Sequence, residues 1–169
     1  MDQLKWTERK FDFGFRKEYL PFMLERIRAT APRIEELVKD FSEERLSQQT
    51  DGQWSIKQHI GHLIDLEELH QTRVEQFKEG LSELRAADMS NKKTHEADHN
   101  ARKNGELIAD LRKVRRHFIY SIEQISEVQL DRKALHPRLQ TQISLTDLAY
   151  FVAEHDNHHL TIMTRSLRT

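Results

Sequence analysis

Three histidines fall within five residues of the stretch "AYFVAEHDNHHLTIMTRSLRT": His155, His158 and His159. At about 100° per residue on a helix, Leu148, Val152, His155, His159, Ile162 and Ser166 share one arc, so two imidazoles interrupt an apolar stripe. His155 and His159 are one turn apart, the i, i+4 spacing at which two rings converge on one point and can hold a metal ion. His158 lies about 100° round from His159 and points elsewhere. A single core-facing histidine is ordinarily a hydrogen-bonded structural residue. Two side by side are hard to satisfy without a shared partner such as a metal ion or water, because a buried imidazole costs free energy unless its nitrogens are bonded.

A divalent site needs at least a third ligand, and beyond His159 the chain holds no Asp, Glu or His. That counts against a variant of the zincin pattern H-E-x-x-H, in which Asp156 would be the base and the third ligand would follow. The ligand must come from upstream, where "SIKQHIGHLIDLEELH" supplies His59, His62, Glu67 and His70. On the helical wheel His62 lies between Leu66 and Leu69 at the flank of the apolar face, and Gly61 leaves room for a neighbouring group. Spacing does not choose among the four. His95, His99, His117 and His136 read as surface or loop residues, with a lid over the site as the alternative for "HEADHN". Trp54 reads as a helix staple, and Arg115 with Arg116 as a solvated face.

The elements that must position these side chains are helical. A chain of 169 residues with 37% hydrophobic content suits one domain spanning 1–169, and 33% charged residues with five Gly and three Pro favour an all-α fold. From Leu20 to Phe41 apolar residues recur at spacings of three and four, with Pro32 inside the run. This predicts a first helix that is kinked, or split with Thr30 capping a second segment. Ser55 and Gln58 form a capping box for a second helix from Ile56 to about Leu81, interrupted in its stripe by Glu67 and His70. "AADMSNKKTHEADHN" reads as a polar connection across one end of a bundle. A third helix spans roughly Ala101 to Ile125, "LHPRLQTQI" reads as a loop, and Ser144 with Asp147 caps a last helix from Leu145 to about Leu167. Four long amphipathic helices, preceded by an aromatic N-terminal arm, pack most simply as a four-helix bundle.

The motifs "WSIKQHIGHLIDLE" and "AEHDNHH", about a hundred residues apart, together resemble the DinB-like, or YfiT-like, superfamily of metal-dependent four-helix proteins. The likeness covers nearly the whole chain, the "LKWTERKFDF" arm included. It implies a three-histidine site formed by His62, His155 and His159 for a divalent ion, with zinc or nickel foremost, and so selects His62 among the upstream candidates. Some members are S-transferases for low-molecular-weight thiols such as bacillithiol or mycothiol, and others have been described as hydrolases.

Two enzymatic chemistries follow from three imidazoles and an open coordination position. A thiol substrate there would be acidified and would attack an electrophile, or a water would be acidified with Asp65, Glu67 or Asp156 taking its proton. Asp156 reads better as an acceptor for the distal N–H of a ligand histidine. The chain contains no cysteine, so any sulfur chemistry must use the substrate's sulfur. A non-catalytic metal-binding stress protein is the alternative from a different class. Lys and Arg (27) nearly cancel Asp and Glu (28), which argues against nucleic acid as a partner, and no apolar run is long enough to span a bilayer. The expected setting is cytoplasmic, with a small-molecule substrate and with a homodimer left open.

Overall fold

Both capping boxes read from the sequence are formed. The Ser55 hydroxyl accepts from the Gln58 N–H while the Gln58 side chain accepts from the Ser55 N–H, and Ser144 and Asp147 do the same. The computed structural model describes residues 3–50 and 52–168; Met1, Asp2, Asp51 and Thr169, which belong to the domain expected over 1–169, lie outside the described residues.

The fold is a four-helix bundle. Its first helix is split into α1 (Leu20–Arg28) and α2 (Thr30–Val38), and α3 (Glu43–Ser47) follows as a short turn. Thr30 does not cap the second segment: Ala29 holds that position in helical conformation, and the Thr30 side chain turns into the core. The second helix is also split, at Leu66, into α4 (Ile56–Asp65) and α5 (Glu67–Glu79), where the sequence predicted one continuous helix. The third is α7 (Asn104–Glu123) and the fourth α9 (Leu145–Ser166). Helix α9 packs on α1, α2 and α4, while α7 packs on α1, α2, α4 and α5. No helix among the described residues is long and apolar enough to cross a membrane.

Two connections differ from expectation. The stretch after α5 carries α6 (Lys92–Glu96) and a 3-10 turn at His99–Ala101, and it lies against α4. It is fastened by the Lys57 ammonium, which donates to the Arg102 carbonyl at 2.7 Å and pairs with Glu43, and by the Ser55 hydroxyl on Asn100. The stretch after the short helix α8 (Glu127–Leu130) is not a plain loop. It forms a hairpin of β1 (Lys133–His136) and β2 (Thr141–Ser144), with Lys133 opposite Ser144 and His136 opposite Thr141. The turn at Pro137 is where the sequence rightly denied a helix, but the segments on either side pair as strands, with burial alternating along "KALH" and the inner end of "TQIS" turned into the core.

The N-terminal arm lies along α9. Arg9 and Arg26 converge on Glu154, Asp147 accepts the Gly14 and Phe15 N–H groups at 2.8 and 2.9 Å, and Trp6 packs on Phe151.

The apolar interior forms two clusters. One gathers α1, the distal part of α5, the end of α7, the start of α9 and the hairpin; the other gathers α2, α4, the start of α7 and the end of α9. A polar layer containing Arg115 lies at the level where the first two helices break. Arg115, 2% exposed, pairs with Glu67 and, at 2.6 Å, with Asp156, whose other oxygen accepts the Thr30 hydroxyl at 2.7 Å. One residue from each bundle helix thus enters the network. Arg115 is a buried ion-pair hub and not the solvated face expected of it, although its neighbour Arg116 is exposed.

Burial disfavours the Arg115 cation, but the two carboxylates outweigh it and raise its pKa. Removing the cation strands two buried carboxylates, which costs about 3–5 kcal/mol, whereas losing one hydroxyl donor costs about 1–3 kcal/mol. Urea denaturation should therefore show Arg115→Met destabilised severely and Thr30→Val modestly; equal, small losses would contradict the network's role.

Candidate metal centre

The structure brings His62, from the last turns of α4, together with His155 and His159 from the middle of α9. One nitrogen from each lies within 4.8 Å of the other two, and all three residues are buried. Nε2 of His155 and Nε2 of His159 face each other at 3.2 Å. Two nitrogens on a tetrahedral ion at about 2.05 Å lie about 3.3 Å apart, so this pair has the spacing that a shared cation requires.

Each ring is oriented by what its other nitrogen meets. Thr94, on α6, donates its hydroxyl proton to Asp65 at 2.9 Å, so its oxygen accepts from the His62 Nδ1–H at 3.1 Å and Nε2 of His62 keeps its lone pair. Nδ1 of His159 lies 2.9 Å from Nδ1 of His59; with the proton on His159, Nε2 is free to ligate. Nδ1 of His155 is buried without a partner. Burial holds His62 down to about 4, and burial reinforced by the neighbouring histidines keeps His155 and His159 well below the usual imidazole value. All three are neutral at pH 7, the state a ligand needs. A set of three neutral, preoriented imidazoles fits a divalent ion.

The three carboxylates singled out from the sequence sit around this cluster but not in it. Asp65 accepts from Thr94 and lies 2.8 Å from His99 Nε2; burial raises its pKa, but those two hydrogen bonds hold it below the ordinary value. Contrary to the expectation that it accepts from a ligand histidine, Asp156 is engaged by Arg115 and Thr30 and anchors α9 between the two histidines. Burial pushes Glu67 up to about 7 against the pull of Arg115. Of the other upstream histidines, His59 supports His159, and His70 is 3% exposed with neither nitrogen bonded.

A cavity of about 240 Å³ opens beside the histidines, walled by Trp6, Trp54, Leu66, Leu69 and Phe151. Trp54 is more than a staple, since its ring packs 4.8 Å from that of His62 and 5.5 Å from that of His59. His158 points away from the cluster, as the wheel predicted, yet still lines the cavity; its Nδ1 is 2.9 Å from the Gln3 amide. His99 and His136, read as surface or loop residues, are 5% and 2% exposed. His99 approaches α4 closely enough that a Cβ on Gly61 would lie 2.2 Å from its ring. The expected room beside Gly61 is thus filled by His99, which ties the "HEADHN" stretch to the support of His62.

Gly61→Ala is predicted to displace His99 and free Asp65, with overpacking of about 1–3 kcal/mol. Amide exchange over residues 92–101 should quicken while α7 keeps its protection; unchanged exchange there would contradict this packing.

The profile of the DinB superfamily matches residues 26–163. No curated protein matches the sequence. Among solved structures, YfiT from Bacillus subtilis, described as a probable metal-dependent hydrolase with an unusual four-helix bundle topology, superposes with a TM-score of 0.73 at 22% identity, over 95% of this chain and 93% of that one. With four helices in this arrangement and a profile match over most of its length, the chain belongs to the DinB superfamily.

Proposed function

We propose that His62, His155 and His159 bind one divalent ion, zinc or nickel, and that the chain is a metal-dependent transferase joining a low-molecular-weight thiol to an electrophilic substrate. The observation that carries this reading is the three-imidazole cluster at the wall of a cavity with large aromatic and aliphatic surfaces, with the nearby carboxylates committed elsewhere. Three protein ligands leave a position for an exogenous group, unlike a closed structural site. Bound there, the ion supplies a Lewis acid that stabilises the anion of a thiol or water placed against it.

The remaining work falls to the chain's own residues. His59 and Thr94 hold the rings of His159 and His62 at fixed tautomers, and Asp65 holds Thr94. Trp6, Trp54 and Phe151 wall the cavity with apolar rings, which would limit water around a bound substrate, strengthen electrostatic effects there and protect a reactive electrophile from hydrolysis. Asp65, Glu67 and Asp156 are not among the cavity residues, so a hydrolytic mechanism resting on one of them as base has no proton acceptor at the reacting position. Thiol transfer makes a smaller demand, because a thiol is far more acidic than water and, held against the ion, would release its proton to solvent before attack. The absence of cysteine leaves no internal thiol to compete.

Hydrolysis is the second reading, favoured by one observation: His70 lines the same cavity with both ring nitrogens unpartnered, so it is placed to accept a proton. The description of YfiT as a probable metal-dependent hydrolase points the same way.

Elemental analysis of untagged protein purified without chelator should find about one divalent ion per chain, lost in His62→Ala and His155→Ala. Thr94→Val should weaken the ion about 10–100-fold while leaving its stoichiometry intact. Metal-loaded protein should then consume small thiols in the presence of alkylating electrophiles faster than ester or amide substrates are hydrolysed. An empty wild type after dialysis against zinc and nickel would overturn the metal site, and hydrolysis without thiol consumption, abolished in His70→Gln, would overturn the transferase.

A further inference from the structure

The cavity beside the histidines also carries positive charge that no carboxylate among the described residues neutralises. Arg73, on α5 and 1% exposed, donates Nε and Nη2 to a single carbonyl, that of Arg85, at 3.0 and 2.8 Å, and forms no ion pair. Arg138, in the hairpin turn, has a buried Nη2 without a partner, and its guanidinium lies 5.8 and 5.7 Å from the ring centres of Trp6 and Phe151. Other arginines of the same chain do find carboxylates: Arg9 and Arg26 share Glu154, and Arg112 pairs with Glu35. Asp88, at the cavity rim, is occupied by the Ser90 and Lys92 N–H groups and the Ser90 hydroxyl of its own loop.

A third donor accompanies the two cations. Nδ1 of His136 accepts from the Leu139 N–H at 3.3 Å, which puts the ring proton on Nε2, and that nitrogen is buried with no acceptor. Arg73, His136 and Arg138 all line the same cavity as His62, His155 and His159. A buried cation (Arg73), a half-buried one with an unpartnered Nη2 (Arg138) and a buried N–H without an acceptor are each costly, and one oxyanion would answer all three. Burial, then the nearby Arg138, pushes Arg73 down to about 10, which is the electrostatic mark of that missing counter-charge.

We infer that Arg73, His136 and Arg138 form an oxyanion subsite, so that the substrate handled beside the three histidines carries a carboxylate or phosphate group. Arg138 is the principal donor, its guanidinium placed over the rings of Trp6 and Phe151. His136 adds its Nε2–H, and Arg73 supplies charge from the floor. The hairpin, which places two of the three groups, is then the element that sets specificity. This substrate class rests on the reading of the cavity as the substrate site.

The test is an NMR titration of metal-stripped protein with succinate, inorganic phosphate and neutral succinamide, followed at the arginine Nε–H and Trp6 indole signals. Arg138→Gln, whose parent side chain has no ion pair to lose, and the exposed-site control Arg116→Gln are titrated in parallel after circular dichroism has verified their fold. At least one anion, and not succinamide, should shift the Arg138 and Trp6 signals saturably, with affinity at least about tenfold weaker in Arg138→Gln and unchanged in Arg116→Gln. The tighter anion identifies the group as carboxylate or phosphate. No saturable shift with either anion, or equal affinity in Arg138→Gln, would overturn the subsite. Because the readout needs no metal, failure of this subsite and failure of the metal site are separately visible.

Discussion

A guanidinium in the middle of a bundle is costly without counter-charge, and Arg115 is answered by two helices at once. Glu67 at the start of α5 and Asp156 in the middle of α9 take its two ends, and Thr30 closes the far side of Asp156. Buried ion pairs of this kind add little net stability over well-packed apolar side chains, so their consequence is geometric. Asp156 stands between His155 and His159 in sequence, and fixing its direction fixes the rotation of α9 that turns both histidines toward α4. Glu67 fixes the point at which the second helix resumes after Leu66, and with it the face of α5 that carries His70 and Arg73 into the cavity. The same level divides the apolar core into two clusters, so the polar layer is flanked by rigid packing on both sides.

Above that layer the cluster is supported by residues that do not line the cavity. His62 rests on Thr94 and Asp65, and Asp65 on His99, which reaches α4 only because residue 61 is glycine. His159 rests on His59. The stretch after α5 is therefore part of the site's framework, which explains why so polar a segment is fastened by Lys57, Ser55 and Asp65. On the opposite wall the hairpin and the N-terminal arm meet, with Arg138 lying against Trp6 and Phe151. Histidines, aromatic walls and cations are thus supplied by separate parts of the chain around one cavity.

Periodicity and capping chemistry made most of this architecture legible. The boxes at Ser55 and Ser144 marked the starts of α4 and α9, and the i, i+4 pair followed from the wheel because long helices obey a fixed angular step. His62 needed the family resemblance, since four upstream candidates were equivalent by spacing alone. Arg115 was missed because it stands in the charged run "RKVRRH", yet Leu111, Arg115, Phe118 and Ile122 share one stripe of α7, and a cation on an apolar stripe is the signal for a buried pair. The burial of His99 and His136 depends on how a loop and a hairpin return to the bundle, and local sequence carries no term for that. The break at Leu66 was foreshadowed only by Glu67 and His70 interrupting the second stripe.

The central claim is that one divalent ion is held by three imidazoles with a further position open to an exogenous group. X-ray absorption spectroscopy of zinc- or nickel-loaded protein tests it most directly. The account predicts three imidazole nitrogens at about 2.0–2.1 Å and a lighter fourth scatterer replaced by sulfur when a small thiol is added. Fewer than three imidazoles, a spectrum unchanged in His62→Ala, or a shell closed to added thiol would contradict it.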